Sequence, residues 1–219
     1  MLLEELRSEV IDYARQMAHS RLTSGTWGNV SARDRETGLI AITPSGMDYD
    51  SLTPADIVII DEHGKIVDGH RRPSVETELH TIFMRNRLEV GSVVHTHSPF
   101  ATALGIARDE IPIALAELAA VVGSAIPVAP YVTLATAALA ETAYRVMGDG
   151  RAVVLRNHGV VAIGETLKDT LAAAAVIEEN ALVYWLAYQI GEPSILPREE
   201  VQKLRCLYLS RYGQGNSKG

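Results

Sequence analysis

Cysteine is almost missing from this chain: Cys206 is the only one in 219 residues. An internal disulfide is therefore excluded, and the composition fits a reducing, cytoplasmic setting with Cys206 as an inert thiol. Basic residues are also in deficit. Twenty Lys and Arg stand against 27 Asp and Glu, a formal net charge of −7, and the largest basic cluster is the dipeptide Arg71–Arg72. That argues against a nucleic-acid partner, whereas a phosphate-bearing metabolite needs only a local pocket. No secretory leader is legible, because MLLEELRSEV carries acids and lacks an apolar centre. The most apolar long stretch, 170–190, is broken by Glu178, Glu179 and Asn180 and reads as a core helix, not a membrane span. No linker, internal repeat or biased tract divides the chain, and 47% hydrophobic content suits one large domain.

What is present gathers between Arg72 and Ser98. Val93 and Val94 follow Gly91, a strand signal, and side chains two apart on a strand share a face, so His95 and His97 point the same way. With Cα atoms about 7 Å apart, both imidazoles can reach one zinc ion at about 2.0–2.1 Å. Two half-buried histidines on a strand would look the same, so a third ligand has to decide. His158 offers itself: 152–155 reads as a strand, 157–159 as a tight turn and 160–163 as the next strand, which puts His158 at a strand end. Three neutral imidazoles with an open position suit catalytic zinc and are a poor match for magnesium.

Pro73 to His80 read as the first turns of a helix with Ser74 as N-cap. Glu76 then falls in the first turn, where a carboxylate is ordinarily only a partner of the helix dipole; its closeness in sequence to the histidine strand makes it a candidate for more. His80 shares its helical face, but the order Glu then His is not the zinc-protease HExxH pattern, so His80 is read as a packing residue or a support for a ligand. Gly28, at the entry of a strand over 28–31, and the turn Pro44-Ser45-Gly46 can present backbone N–H groups and small hydroxyls to a phosphate, although each alone is an ordinary turn.

Elsewhere the pattern predicts an amphipathic helix over 2–19, a strand over 39–43, a helical turn at 54–57 and a hairpin of 58–60 with 65–67. A helix should start at Ser98 and run to Gly105, and 111–126 fits helix or strand equally. Further helices are expected over 135–146, capped by Thr133, over 167–190 from Thr166, and over 198–210. Residues 1–212 form the expected domain, and the Gly-rich 213–219 a flexible tail. Interleaved strands and helices imply a single three-layer α/β domain around a central sheet.

The segments SGTWGNVSAR (24–33), ITPSGMDYDSL (42–52), PSVETELH (73–80), VVHTHS (93–98) and NHGVVAIG (157–164) together resemble the class II aldolase/adducin family, and within it the L-fuculose-1-phosphate aldolases. The resemblance implies a largely antiparallel sheet and a homotetramer with active sites at subunit interfaces. It also implies one zinc per subunit on His95, His97 and His158, and reversible cleavage of a ketose 1-phosphate to dihydroxyacetone phosphate and an aldehyde. Zinc would be the Lewis acid that stabilises the enediolate. Glu76 would move the C3 proton, preferably from a raised pKa, or fill the fourth metal position when substrate is absent. The phosphate would fall to Gly28, Asn29, Ser45, Gly46 and Ser74, with Val75 standing where the family usually has a second serine. Ala116 stands where the family's tyrosine acid would be, which leaves Glu117 as a substitute, and Tyr212 matches another tyrosine of the aldolase pocket. Leu134, Leu209 and the tail suggest a small apolar aldehyde end, so L-fuculose, 5-deoxyribulose and methylthioribulose 1-phosphates all remain open. The same scaffold serves ribulose-5-phosphate-type 4-epimerases, methylthioribulose-1-phosphate dehydratases and non-enzymatic adducin-like interaction domains. Glu76 disfavours the epimerase, and the three histidines disfavour the adducin-like domain.

Overall fold

Strict alternation of apolar side chains sorts the strands into two faces. In the computed structural model, which describes residues 1–211, Val94, Val154, Val160 and Ala162 pack into one core, while Val93, Val153, Leu155, Val161 and Ile163 pack into another. A period of two does this automatically on any strand buried from both sides. Tyr212 and the tail of 213–219 lie outside the described residues.

Among those residues the strands are β1 (Asn29–Arg33), β2 (Ile40–Ile42), β3 (Val58–Ile60), β4 (Ile66–Asp68), β5 (Ser92–Thr96), β6 (Glu110–Ile111), β7 (Ile126–Ala129), β8 (Ala152–Leu155) and β9 (Gly159–Gly164). They form one sheet in the order β4-β3-β2-β1-β5-β9-β8-β7-β6. All pairings are antiparallel except that of β7 with β8. The helices are α1 (Glu4–His19), α2 (Thr77–Asn86), α3 (Pro99–Ala107), α4 (Ala116–Val121), α5 (Ala137–Met147), α6 (Leu167–Ile190) and α7 (Arg198–Arg211). Leu79, Ile82 and Phe83 of α2 and Leu139 and Met147 of α5 cover one face; α1, α3, α4 and α6 cover the other. The expected three-layer, largely antiparallel α/β domain is what the chain forms.

At 24 residues with a mean hydropathy of 1.2 over its most apolar window, α6 is long and apolar enough to cross a membrane, but half of that window is buried inside the fold. Its polar interruptions are anchors. Glu178 accepts from the amides of Phe100 and Ala101 at 2.9 and 2.8 Å, tying down the start of α3. Asn180 accepts from Ala114 and Leu115 and donates to Pro112.

Several elements differ from expectation for identifiable reasons. Helix α2 begins at Thr77, not near Ser74, because the Ser74 amide donates to Thr43 and the Ser45 amide to Arg72. These bonds fasten two loops together and leave Glu76 in the N-cap position, while the Ser74 hydroxyl accepts from the Glu76 amide. Thr136, not Thr133, caps α5 by accepting from the Leu139 amide. Residues 54–57 are a turn held by Asp56, which accepts from Thr53, and the short helical element is instead a 3-10 turn at Tyr49–Ser51. Residues 111–126 divide among the end of β6, α4 and the start of β7. Strand β5 ends at Thr96, so His97 stands one residue beyond it.

Candidate active site

The register of the three central strands assembles the site. Asn29 on β1 lies directly across from His95 on β5, and Thr96 pairs with Val160 on β9, just after the turn that carries His158. That turn is held by the His158 amide donating to Leu155 and by Asn157 in the left-handed region at φ 61°. The rings of His95, His97 and His158 converge, with centroids 4.8–5.0 Å apart. One nitrogen from each falls within 4.8 Å of the others. Two glycines permit the approach. At Gly28, φ is +78° and a Cβ would sit 2.7 Å from the His95 carbonyl oxygen. At Gly159 a Cβ would run into the Thr96 carbonyl and lie 3.2 Å from the His95 ring.

The donor set fits a metal ion. His95 is fully buried, and its Nδ1 donates to the Val160 carbonyl at 3.0 Å, so Nε2 carries a free lone pair. Among the described residues, His95 Nε2, His158 Nδ1 and Glu76 Oε1 are buried without a hydrogen-bond partner. Orphaned polar atoms such as His95 Nε2 and Glu76 Oε1 would be expensive in a purely structural site; a cation bound by the three histidines would offset that. Burial first, then the neighbouring His95, and for His97 also His158, push His97 and His158 down to about 3 and about 4. Both are therefore in the neutral, ligating form at pH 7.

Glu76 reaches in from the start of α2 and is 6% exposed. Its Oε2 accepts from Asn29 Nδ2 at 2.9 Å and lies 3.3 Å from His95 Nε2, while Oε1 lies 3.3 Å from His158 Nε2. Burial alone would raise its pKa, but the neighbouring His95, the Asn29 hydrogen bond and then His158 and His80 outweigh it, so the carboxyl is held below its usual range. The raised pKa looked for at this residue is not found. His80 is buried below it. Its Nδ1 meets the Ser31 hydroxyl at 2.6 Å, its Nε2 meets Asn29 Oδ1, and burial pushes it down to about 3.

These groups open onto a cleft of about 450 Å³ whose lining includes Gly28, Asn29, Ser45, Gly46, Ser74, Glu76, His97 and His158, a size that suits a small metabolite. All five residues expected to hold phosphate thus line one cleft. Trp27, Val75 and Leu134 complete its apolar part. Sequence reasoning passed over Trp27, which is 62% exposed with its ring 5.7 Å from His97; its only signal was its place inside the first quoted segment. Bonds from Thr23 Oγ1 to the Trp27 carbonyl and from the Tyr49 hydroxyl to the Gly28 carbonyl, at 2.5 and 2.6 Å, hold that loop.

Glu117 is exposed on α4 and Leu209 on α7, and neither lines this cleft; Tyr212 is outside the described residues. A larger groove of about 770 Å³ between α3 and α6 is lined by Pro99, Phe100, Arg108, Tyr184, Trp185 and Tyr188 among others, with no histidine or carboxylate.

The sequence matches the family described as class II aldolase and adducin N-terminal domain over residues 8–185. It is 41% identical over 214 residues to the 5-deoxy-D-ribulose 1-phosphate aldolase of Bacillus thuringiensis serovar kurstaki, covering 98% of this chain and 100% of that one. It is also 41% identical over 199 residues to the 5-methylthioribulose-1-phosphate/5-deoxyribulose-1-phosphate aldolase of Rhodospirillum rubrum, covering 91% and 89%. Among solved structures, an L-fuculose 1-phosphate aldolase superposes with a TM-score of 0.90 at 36% identity, covering 94% of this chain and 96% of that one.

Proposed function

The chain belongs to the class II aldolase and adducin family, and on that premise we propose that it is a zinc-dependent aldolase for 5-deoxy- or 5-methylthio-pentulose 1-phosphates. It would cleave them reversibly to dihydroxyacetone phosphate and a short apolar aldehyde. The observation that carries this reading is the Glu76 carboxylate set between His95 and His158, each at 3.3 Å, beside lone pairs that no protein group satisfies.

His95, His97 and His158 would hold the ion, and an all-imidazole donor set favours zinc over oxygen-seeking cations. When bound it supplies Lewis-acid polarisation at the ketose carbonyl. Glu76 does the proton work: in the condensing direction its carboxylate removes the C3 proton. In the cleavage direction the C4 hydroxyl loses its proton as the C3–C4 bond breaks, while Glu76, protonated in turn through solvent, returns a proton to C3. Its lowered pKa keeps it ionised, and so ready as a base, at neutral pH.

We assign the phosphate to the Ser45 and Ser74 hydroxyls and the backbone at Gly28 and Gly46. Asn29 stands between this cradle and Glu76, with its amide already committed to Glu76 and His80. The apolar surface of Trp27, Val75 and Leu134 supports a methyl or methylthio group at C5. Among the described residues, no carboxyl or tyrosine besides Glu76 lines the cleft, so we assign the acid for the aldehyde oxygen to Glu117 of a neighbouring copy or to Tyr212. A homotetramer with sites at its interfaces is the arrangement we propose for that reason.

The test is release of dihydroxyacetone phosphate by the zinc-loaded protein, followed with a coupled dehydrogenase, from 5-deoxyribulose, 5-methylthioribulose and L-fuculose 1-phosphates. Higher kcat/KM for the first two is expected. Loss of water, or inversion at C4, with no dihydroxyacetone phosphate formed would replace the aldolase reading by the dehydratase or the epimerase.

A further inference from the structure

Asn29 and Ser31 are two apart on β1, so their side chains leave the same face of the sheet. That face is the one covered by α2, because the intervening Val30 belongs to the opposite core. Glu76 and His80 are four apart at the start of α2 and share one helical face. The two periods interlock into a single buried chain of polar groups. The Ser31 hydroxyl meets His80 Nδ1 at 2.6 Å, His80 Nε2 meets Asn29 Oδ1, and Asn29 Nδ2 meets Glu76 Oε2 at 2.9 Å. All four residues are at least nine-tenths buried.

The chemistry of each member fixes the direction of the chain. Asn29 Oδ1 can only accept, so His80 Nε2 must donate to it. A neutral imidazole with its proton on Nε2 has a bare Nδ1, so the Ser31 hydroxyl must donate there. With its oxygen taken by His80, the Asn29 amide can present only its NH2 end to Glu76, which accepts as a carboxylate. A reversed amide would set two acceptor oxygens against each other in a buried site. An apolar residue in the place of His80 would leave the Ser31 hydroxyl and Asn29 Oδ1 buried without these partners, so the histidine does more than fill space.

We propose that His80 is a positioning residue that acts through Asn29: it locks the amide so that its N–H end holds the Glu76 carboxylate in place to exchange the C3 proton. The kinetic half of the inference rests on the aldolase reading; the direction of the hydrogen bonds does not.

The experiment uses the full-length, zinc-loaded protein and has two arms. In the first, 15N NMR of labelled histidine rings reports the tautomer of His80. A neutral ring protonated on Nε2 is expected in the wild type, and also in Ser31→Ala because Asn29 Oδ1 still needs its donor; a wild-type ring protonated on Nδ1 overturns the proposal. In the second, exchange of the C3 proton of dihydroxyacetone phosphate in deuterated water is followed in His80→Phe and His80→Gln. A charge-assisted hydrogen bond lost in the transition state predicts at least about a tenfold fall in kcat for the Phe variant, with KM moving by less than about twofold and zinc content unchanged. Gln sets an amide N–H near the position of Nε2 and should stay within about threefold of wild type. Equal impairment of both variants, or none in Phe, removes His80 from the machinery and leaves it as core. If His80→Phe does not fold, Ser31→Ala, which frees the Nδ1 end of the ring, serves in its place: about a two- to fivefold loss of exchange supports the proposal, and no loss overturns it. A wild type that exchanges no proton removes Glu76 as the C3 base, and the ring tautomer alone then decides the hydrogen-bond chain.

Discussion

Glu76 is held through Oε2 by the Asn29 amide, so a change that keeps its size and removes only its basicity isolates its chemistry. Glu76→Gln should preserve the fold and most bound zinc while lowering C3-proton exchange by about 10²–10⁴-fold, the usual worth of a positioned acid or base. Exchange at the wild-type rate with zinc bound would return Glu76 to the role of a helix-end charge. As part of the proposed phosphate cradle, Ser74 would lie away from the bond that breaks. Ser74→Ala should therefore raise KM by roughly tenfold, with a smaller effect on kcat, as steady-state kinetics with the preferred pentulose phosphate would reveal. An unchanged KM would move the phosphate elsewhere in the cleft. The histidines were legible because a period of two and one tight turn are enough to aim them. Glu76 was legible from its closeness in sequence to the histidine strand, and its role only from the familiar segment around it. The commitment of Asn29 to Glu76 and His80 crosses 47 and 51 residues of sequence, and no local pattern encodes it.

Elements were easiest to read where caps and hydrophobic period agree. Helix α6 starts after Thr166, whose hydroxyl accepts from the Asp169 amide, as its sequence suggests. The start of α2 was misread because Ser74, a good N-cap by type, gives its backbone to a neighbouring loop. In 111–126 the alanines fit either period, and the outcome depends on Asn180 of α6 gripping the amides of Ala114 and Leu115 from outside the segment. Where β5 and β9 meet, the decisive residue is Gly159. Gly159→Ala forces a methyl group against the Thr96 carbonyl and the His95 ring, an overpacking that should destabilise the fold by about 1–3 kcal/mol. It should also lower zinc occupancy, because both His95 and His158 must shift. Gly191→Ala is the control: its φ is 178° and nothing lies within 4 Å of a Cβ there, so stability should stay within about 0.5 kcal/mol. Thermal unfolding and metal analysis of the two variants make the comparison.

At the scale of the whole molecule, His80, His97 and His158 are all held below the ordinary histidine range, to about 3, 3 and 4. A depressed histidine pKa means that the unfolded chain binds protons the native state refuses. Stability of the metal-free protein is therefore full above about pH 6.5 and declines as pH falls toward 4 and 3. For the fully buried His80 alone the slope approaches about 1.4 kcal/mol per pH unit. Urea unfolding of the metal-free protein at pH 7 and pH 5 should show the lower midpoint at pH 5, and equal midpoints would mean that these rings are protonated in the fold. The sheet order has a consequence in time as well as in space. Strand β5 is clasped by β1, whose residues come some 60 positions earlier, and by β9, whose residues come some 65 positions later. During synthesis, then, no trio of imidazoles exists until residue 164 has left the ribosome and these distant pairings, slow to form by their nature, have closed. An ion that finds its ligands only in the finished sheet has no part in the search that builds it. Zinc should leave the refolding rate after dilution from urea unchanged and slow only unfolding.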